Sequence, residues 1–241
     1  METQTQSLEL SHFPVMLSEV VKISSPNSGG LFVDCTFGGG GYSKAILQFP
    51  DTKVIALDRD KSVISIANKL EKKFKDRFKF YQIKFSQIDK ILKNDVDTII
   101  FDLGISSIQL KDLKRGFSFN SKEELDMSMG LSNISAQEVI NSFSETQLKL
   151  IIKTFGEERD ASKIAKNIAK ARLIKKITRV DELVEIIKKS KKKNFSKKIN
   201  PSTKTFQALR IFVNKEISEL TKGIVNATKI LKPGGKILIV S

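Results

Sequence analysis

Leu31-Phe32-Val33-Asp34-Cys35-Thr36-Phe37-Gly38-Gly39-Gly40-Gly41-Tyr42-Ser43 decides the fold. A short apolar run ends in an acid, four glycines follow, and Lys44-Ala45-Ile46-Leu47 then takes up a helical pattern. Strand, acid, glycine turn and helix in that order describe a nucleotide site. Glycine lets the backbone turn tightly and approach a ligand with no Cβ in the way, and a helix start behind the turn offers free N–H donors.

The surrounding sequence repeats the theme. Residues 31–34, 53–58 and 96–102 are largely apolar runs ending in Asp34, Asp58 and Asp102, and 78–83 reads as a further strand. Fully apolar runs suit parallel strands covered on both faces. Helical patterns alternate with them: one through Val21, one from the glycines to Leu47, one over 61–74 and a short one around Ile88. Four strands alternating with helices predict an α/β, doubly wound, Rossmann-like sheet. Pro233-Gly234-Gly235 is read as a turn before a fifth strand over 236–240.

Between residues 109 and 200 no strand signal occurs. Ser135-x-x-Glu138 and Ser144-x-x-Gln147 are capping boxes that each open a helix, and Thr178-Arg179-Val180-Asp181 is a looser one. Gly156 suits the residue just past a helix end. A further helix is expected over 158–172. Another begins near Thr203, with Phe206, Leu209, Val213, Ile217 and Leu220 as one apolar stripe. The expected organisation is a polar tail over 1–11, a core from 12–108 and 201–241, and an all-helical insertion over 109–200.

Composition narrows the function. The 241 residues carry a net charge of +15 and a single cysteine, Cys35. One cysteine excludes an internal disulfide and a cysteine-cluster zinc site, so no metal is expected. No apolar run approaches the roughly 18 residues of a membrane span, and a cytoplasmic protein is expected. His12 is the only histidine and reads as structural. Eight lysines and no acid lie between 188 and 204. Lys191, Lys192, Lys193, Lys197 and Lys198 are candidate phosphate contacts on a nucleic acid; a solvated surface is the alternative. Arg210 and Asn214 share a helix face, and either face an RNA or brace the insertion.

In a doubly wound sheet, ligands sit at the carboxyl ends of the strands. Asp58 stands there with acceptors for ribose hydroxyls. A dinucleotide fingerprint needs Gly or Ala where Ser43 stands, which disfavours a nicotinamide cofactor, and no Gly-Lys-Ser/Thr phosphate loop is present. An acid before the glycines and Asp102-Leu103-Gly104 after the fourth strand suit S-adenosylmethionine. Asp102 can hold a reacting amine or the methionine ammonium.

Longer strings carry a resemblance. They are His12-Phe13-Pro14-Val15-Met16-Leu17, the glycine stretch, Asp102 through Leu110, Lys114-Arg115-Gly116-Phe117-Ser118-Phe119, Leu125-Asp126-Met127, Phe155-Gly156-Glu157-Glu158-Arg159, and Thr205 through Asn214. In these the chain resembles the RsmH (MraW) family of S-adenosylmethionine-dependent cytosine-N4 methyltransferases of small-subunit (16S) ribosomal RNA. The resemblance implies that Gly40, Gly41 and Tyr42 border the cofactor, Asp58 holds its ribose, Phe85 packs on adenine, and Asp102 and Gln109 approach the methionine end. It implies as substrate a cytidine of the decoding region, within the small ribosomal subunit and away from any membrane, methylated at its exocyclic N4 amine, with Asp102 as the catalytic candidate. The family usually has His at Tyr42, Arg at Ser128 and His-Pro-Ala-Thr-Arg at 200–204, and it continues past the fifth strand to closing strands. Those departures frame the alternative, a shortened homologue that binds cofactor and RNA without turnover.

Overall fold

The computed structural model describes residues 14–93, 95–191 and 200–241. They form two compact units, one of the chain up to Ser107 with Val225–Ser241, the other Ile108–Ile224. Residues 201–224, expected in the sheet-bearing core, group instead with the helical unit. The 1–11 tail and His12 lie outside the described residues.

The first unit is a parallel sheet of β1 (Gly30–Asp34), β2 (Thr52–Asp58), β3 (Phe78–Gln82), β4 (Val96–Asp102) and β5 (Leu231–Val240), in the order β3-β2-β1-β4-β5. From β1 the chain steps outward to β2 and β3, then returns to place β4 on the other side of β1. That reversal puts the switch point between β1 and β4, where such sheets bind ligands. Helices α1 (Leu17–Ser24), α2 (Gly41–Ile46) and α3 (Ile64–Phe74) accompany the strands. Val33, Cys35, Leu57, Ile88, Val96, Ile99 and Phe101 are packed in one core with Ala227 and Ile230. β5 is bounded from Leu231, but Pro233-Gly234-Gly235 interrupt its pairing: after Leu231 opposite Val96, continuous pairing resumes with Lys236 opposite Thr98 and runs to Val240, the expected fifth strand. The ladder with β4 shifts register between Val96 and Thr98, and Gly234 takes φ 80°. Four residues of β5 stand there against one of β4, so the ladder is broken locally and re-forms at Lys236.

The second unit contains α4 (Ser107–Lys111, which begins one residue earlier), α5 (Ala136–Ser142), α6 (Glu145–Gly156), α7 (Ala161–Ile174), α8 (Val180–Ser190) and α9 (Thr203–Asn214). Both capping boxes form, Ser135 with Glu138 and Ser144 with Gln147. The third start is capped differently: the Glu182 carboxylate accepts the N–H groups of Thr178 and Arg179. Gly156 is the last residue of α6 rather than the one beyond it, and Glu157 takes the left-handed position at φ 48°. A Cβ on Gly156 would stand 2.3 Å from the Lys204 carbonyl oxygen, so glycine is required by the approach of α9.

The long helix expected from Thr203 is broken. Lys215 takes φ 52°, and α10 (Glu216–Ile230) starts in a new direction. Asn214 explains the stop. Its amide donates to the Met127 and Arg210 carbonyls, while its Oδ1 accepts the Met129 N–H and the Ser132 hydroxyl. Ile217, expected on the apolar stripe, is therefore 55% exposed.

Lys191 was expected among the lysines that contact RNA phosphates, and its side chain is instead buried. Its ammonium pairs with Glu158, whose other oxygen accepts the Asp160 N–H. Breaking such a pair leaves a buried, uncompensated charge. Lys191→Met is expected to lower stability in urea unfolding by about 3–5 kcal/mol. The exposed neighbour Lys189→Met should stay within about 0.5 kcal/mol. Equal effects for the two would return Lys191 to the solvent-facing set.

Candidate functional site at the carboxyl ends of the strands

Three neighbouring strands, β2, β1 and β4, end in Asp58, Asp34 and Asp102. The glycine loop is tied to all three. Asp34 is 1% exposed; one oxygen accepts the Thr36 N–H at 3.3 Å and the other the Ser43 hydroxyl at 2.7 Å. The Thr36 hydroxyl in turn accepts the Asp102 N–H at 2.7 Å. Asp58 accepts the Gly38 N–H at 2.9 Å on one oxygen and the Asp60 N–H at 2.8 Å on the other.

These carboxyl groups share a low-dielectric setting. Burial pushes Asp34 up to about 6, against the hydrogen bonds from Ser43 and Thr36, and the charges of Asp58 and Asp102 add to the rise. Burial also pushes Asp58 up to about 6, against its hydrogen bonds to backbone N–H groups. The Tyr42 phenol keeps its proton far into alkaline pH, through burial first and then the charges of Asp102 and Asp34. Burial likewise raises the Cys35 thiol, which is inert packing.

The glycines divide their work. Gly40 takes φ 73°, and a Cβ there would lie 2.8 Å from the Phe37 ring. A Cβ on Gly41 would overlap the Pro14 ring. Both are thus fixed by intramolecular packing. Gly39 alone faces open space, with no atom within 4 Å of a built Cβ. Tyr42 is buried, its hydroxyl donating to the Val15 carbonyl at 2.5 Å. It braces the segment that enters α1. Phe85 is half-buried and meets Phe101 edge-on at 5.4 Å between ring centroids. Asp102 is half-buried at the end of β4, and in the second unit Gln109 is buried within α4.

The site thus brings together Gly40, Gly41, Tyr42, Asp58, Phe85 and Asp102 within the first unit. It does not enlist the candidate RNA residues in one place. Lys191 is paired with Glu158. Arg210 makes a two-pronged bond to Glu216 at 2.7 and 2.9 Å, and Asn214 is wholly engaged in the α9 stop. Both therefore brace the helical unit. Lys192, Lys193, Lys197 and Lys198 lie outside the described residues. Sequence reasoning missed Thr36 and Ser43. The signal was available: two hydroxyl residues within nine positions of a buried acid.

Among the described residues, no group of three or more His, Cys, Asp or Glu is placed to hold a metal ion, and no helix is long and apolar enough to cross a membrane.

The ribosomal RNA small subunit methyltransferase H of Ehrlichia ruminantium (strain Welgevonden) is 45% identical over 238 residues, covering 95% of this chain and 78% of that protein. The protein of the same name from Wolbachia sp. subsp. Drosophila simulans is 44% identical, covering 96% and 80%. That from Rickettsia akari is 43% identical, covering 96% and 76%. Among solved structures, an rRNA methylase from Streptococcus thermophilus is a distant likeness, 17% identical with a TM-score of 0.30 over 35% of this chain and 54% of its own. The sequence profile of the MraW methylase family matches residues 9–241, and the chain belongs to that family.

Proposed function

We propose that this chain transfers a methyl group from S-adenosylmethionine to the exocyclic N4 amine of a cytidine in the decoding region of 16S ribosomal RNA. Family membership and the names of its relatives support methylation of small-subunit ribosomal RNA. The observation that carries the reading is the alignment of Asp58 and Asp102 on either side of the Asp34-anchored glycine loop at the switch point.

The residues fit the cofactor. The strand ends offer carboxylates where ribose hydroxyls and an ammonium need acceptors, and the backbone at Gly39 is open. When bound, S-adenosylmethionine supplies an electrophilic methyl group on a sulfonium centre. Asp58 is the acceptor for the ribose hydroxyls, Gly40, Gly41 and Tyr42 shape the loop beside it, and Phe85 offers a ring face to adenine. Gln109 and Asp102 serve the methionine end.

Cytosine's amine is a poor nucleophile, because its lone pair is delocalised into the ring. The base must leave its stack to present it. Asp102 accepts a hydrogen bond from that amine, favouring a pyramidal nitrogen aligned for transfer; alignment of this kind supplies much of an enzyme's advantage. Thr36 holds the Asp102 backbone through the 2.7 Å bond and so positions the carboxylate.

Two predictions follow from these roles. Incubation of the chain with labelled S-adenosylmethionine and small subunits lacking the modification places label on cytosine N4. Asp102→Asn weakens cofactor binding and, with cofactor saturating, slows transfer by about a hundredfold or more. Cofactor binding without label from the parent chain would favour the non-catalytic homologue, and an unchanged rate in Asp102→Asn would remove its role.

The second concerns pH. Ribose hydroxyls donate to the charged form of Asp58, so cofactor affinity falls as pH drops through about 6, and binding near pH 6 releases protons to the buffer. Stability of the free chain runs the other way. A folded-state value raised above the ordinary 3.8 favours folding when Asp34 and Asp58 are protonated, and that contribution disappears as pH rises through about 6. Calorimetry in buffers of differing ionisation enthalpy reads the proton release. Release that persists undiminished in Asp58→Asn would assign it elsewhere.

A further inference from the structure

The positive charge is unevenly shared. The unit Ile108–Ile224 holds 25 Lys and Arg against 14 Asp and Glu, +11 of the chain's +15. Several of its cations are engaged internally: Lys191 with Glu158, Arg210 with Glu216, Lys175 with Glu182, and Arg172 with the Ile140 carbonyl. The outer face of α7 is different. Ile164, Ala165 and Ile168 are buried, while Lys163, Lys166 and Lys170 are exposed on the opposite face. Offsets of three and seven stack these lysines in a row about 10 Å long.

No acidic residue occurs anywhere in Ala161–Ile174, and among the described residues no ion pair involves the three lysines. The neighbouring α8 is treated in the opposite manner, with Asp181 and Glu182 in its first turn and Lys188 paired with Glu185. Like charges so placed repel along a helix, and a polyanion lying on them reverses the sign of that interaction. At the end of the row stand Leu173 and Ile174, 85% and 91% exposed, the most exposed large apolar side chains among the described residues. Phosphate alone would have no use for two aliphatic side chains. An RNA strand with unstacked bases offers both a charged backbone and apolar base faces.

We propose that the outer face of α7 is an RNA contact surface, with Lys163, Lys166 and Lys170 on the phosphate backbone and Leu173-Ile174 against an unstacked base. The proposal rests on the reading of the substrate as ribosomal RNA, and it goes beyond the transfer site in naming where the strand lies.

The test uses the full chain and naked small-subunit ribosomal RNA, with binding followed by fluorescence anisotropy from about 50 to about 200 mM salt. Replacing Lys163, Lys166 and Lys170 together by Ala should lessen the slope of log affinity against log salt by about 2, three single-strand phosphate contacts at roughly 0.7 each. Leu173→Asn with Ile174→Asn should weaken binding with the slope unchanged. Both variants should keep the parent's melting temperature and cofactor affinity. An unchanged slope in the lysine variant, with the parent binding RNA normally, overturns the α7 surface and leaves the methyltransferase reading standing. A loss seen with assembled subunits but not with naked RNA marks a protein partner and overturns it as well. A parent chain that neither binds RNA in a salt-dependent way nor methylates it overturns the underlying reading, and the α7 surface with it.

Discussion

The burial of Asp34 is the constraint on which the site depends. A carboxyl group with 1% exposure must have both oxygens satisfied. Thr36 and Ser43 satisfy them from either side of the glycines, so the loop between is closed back on the end of β1. The Thr36 hydroxyl then carries the constraint to β4 by accepting the Asp102 N–H, and Gly38 carries it to β2 by donating to Asp58. One loop thereby fixes the ends of three strands. Its glycines serve this closure as much as any ligand, since Gly40 and Gly41 are needed against Phe37 and Pro14.

The central strands of the sheet were legible because they are largely buried. Runs such as Val96-Asp97-Thr98-Ile99-Ile100-Phe101-Asp102 have no other use, and β4 spans just those residues. The capping boxes at Ser135 and Ser144 were legible because capping is local chemistry. What escaped the sequence is tertiary. The stop of α9 depends on carbonyls and N–H groups at Met127 and Met129, more than 80 positions away. Lys191 belongs to a run of lysines by sequence and to Glu158 by folding. Gly156 obeys the approach of α9, which no local pattern signals. Asp58 and Asp102 were proposed from their places at strand ends, and they do end β2 and β4. Ser43 was noticed only as a break in a dinucleotide fingerprint, when its hydroxyl is what Asp34 requires.

The same network argues for the kind of cofactor. Asp34 is raised by the charges of Asp58 and Asp102 as well as by burial, so the three acids form one negative region. A pyrophosphate placed at this loop would add like charge to it, and like charge at short range in a low-dielectric setting is costly. A sulfonium and an ammonium do the reverse: they relieve the repulsion and return the carboxyl groups toward their ionised form. A dinucleotide fold commonly meets its phosphates with a helix N-terminus and a bare glycine turn. Here the residue where the fingerprint asks for a third glycine or alanine is a serine that ties down an acid. The substitution that spoils the phosphate site is the one that secures the negative region, and both effects select a cationic methyl donor.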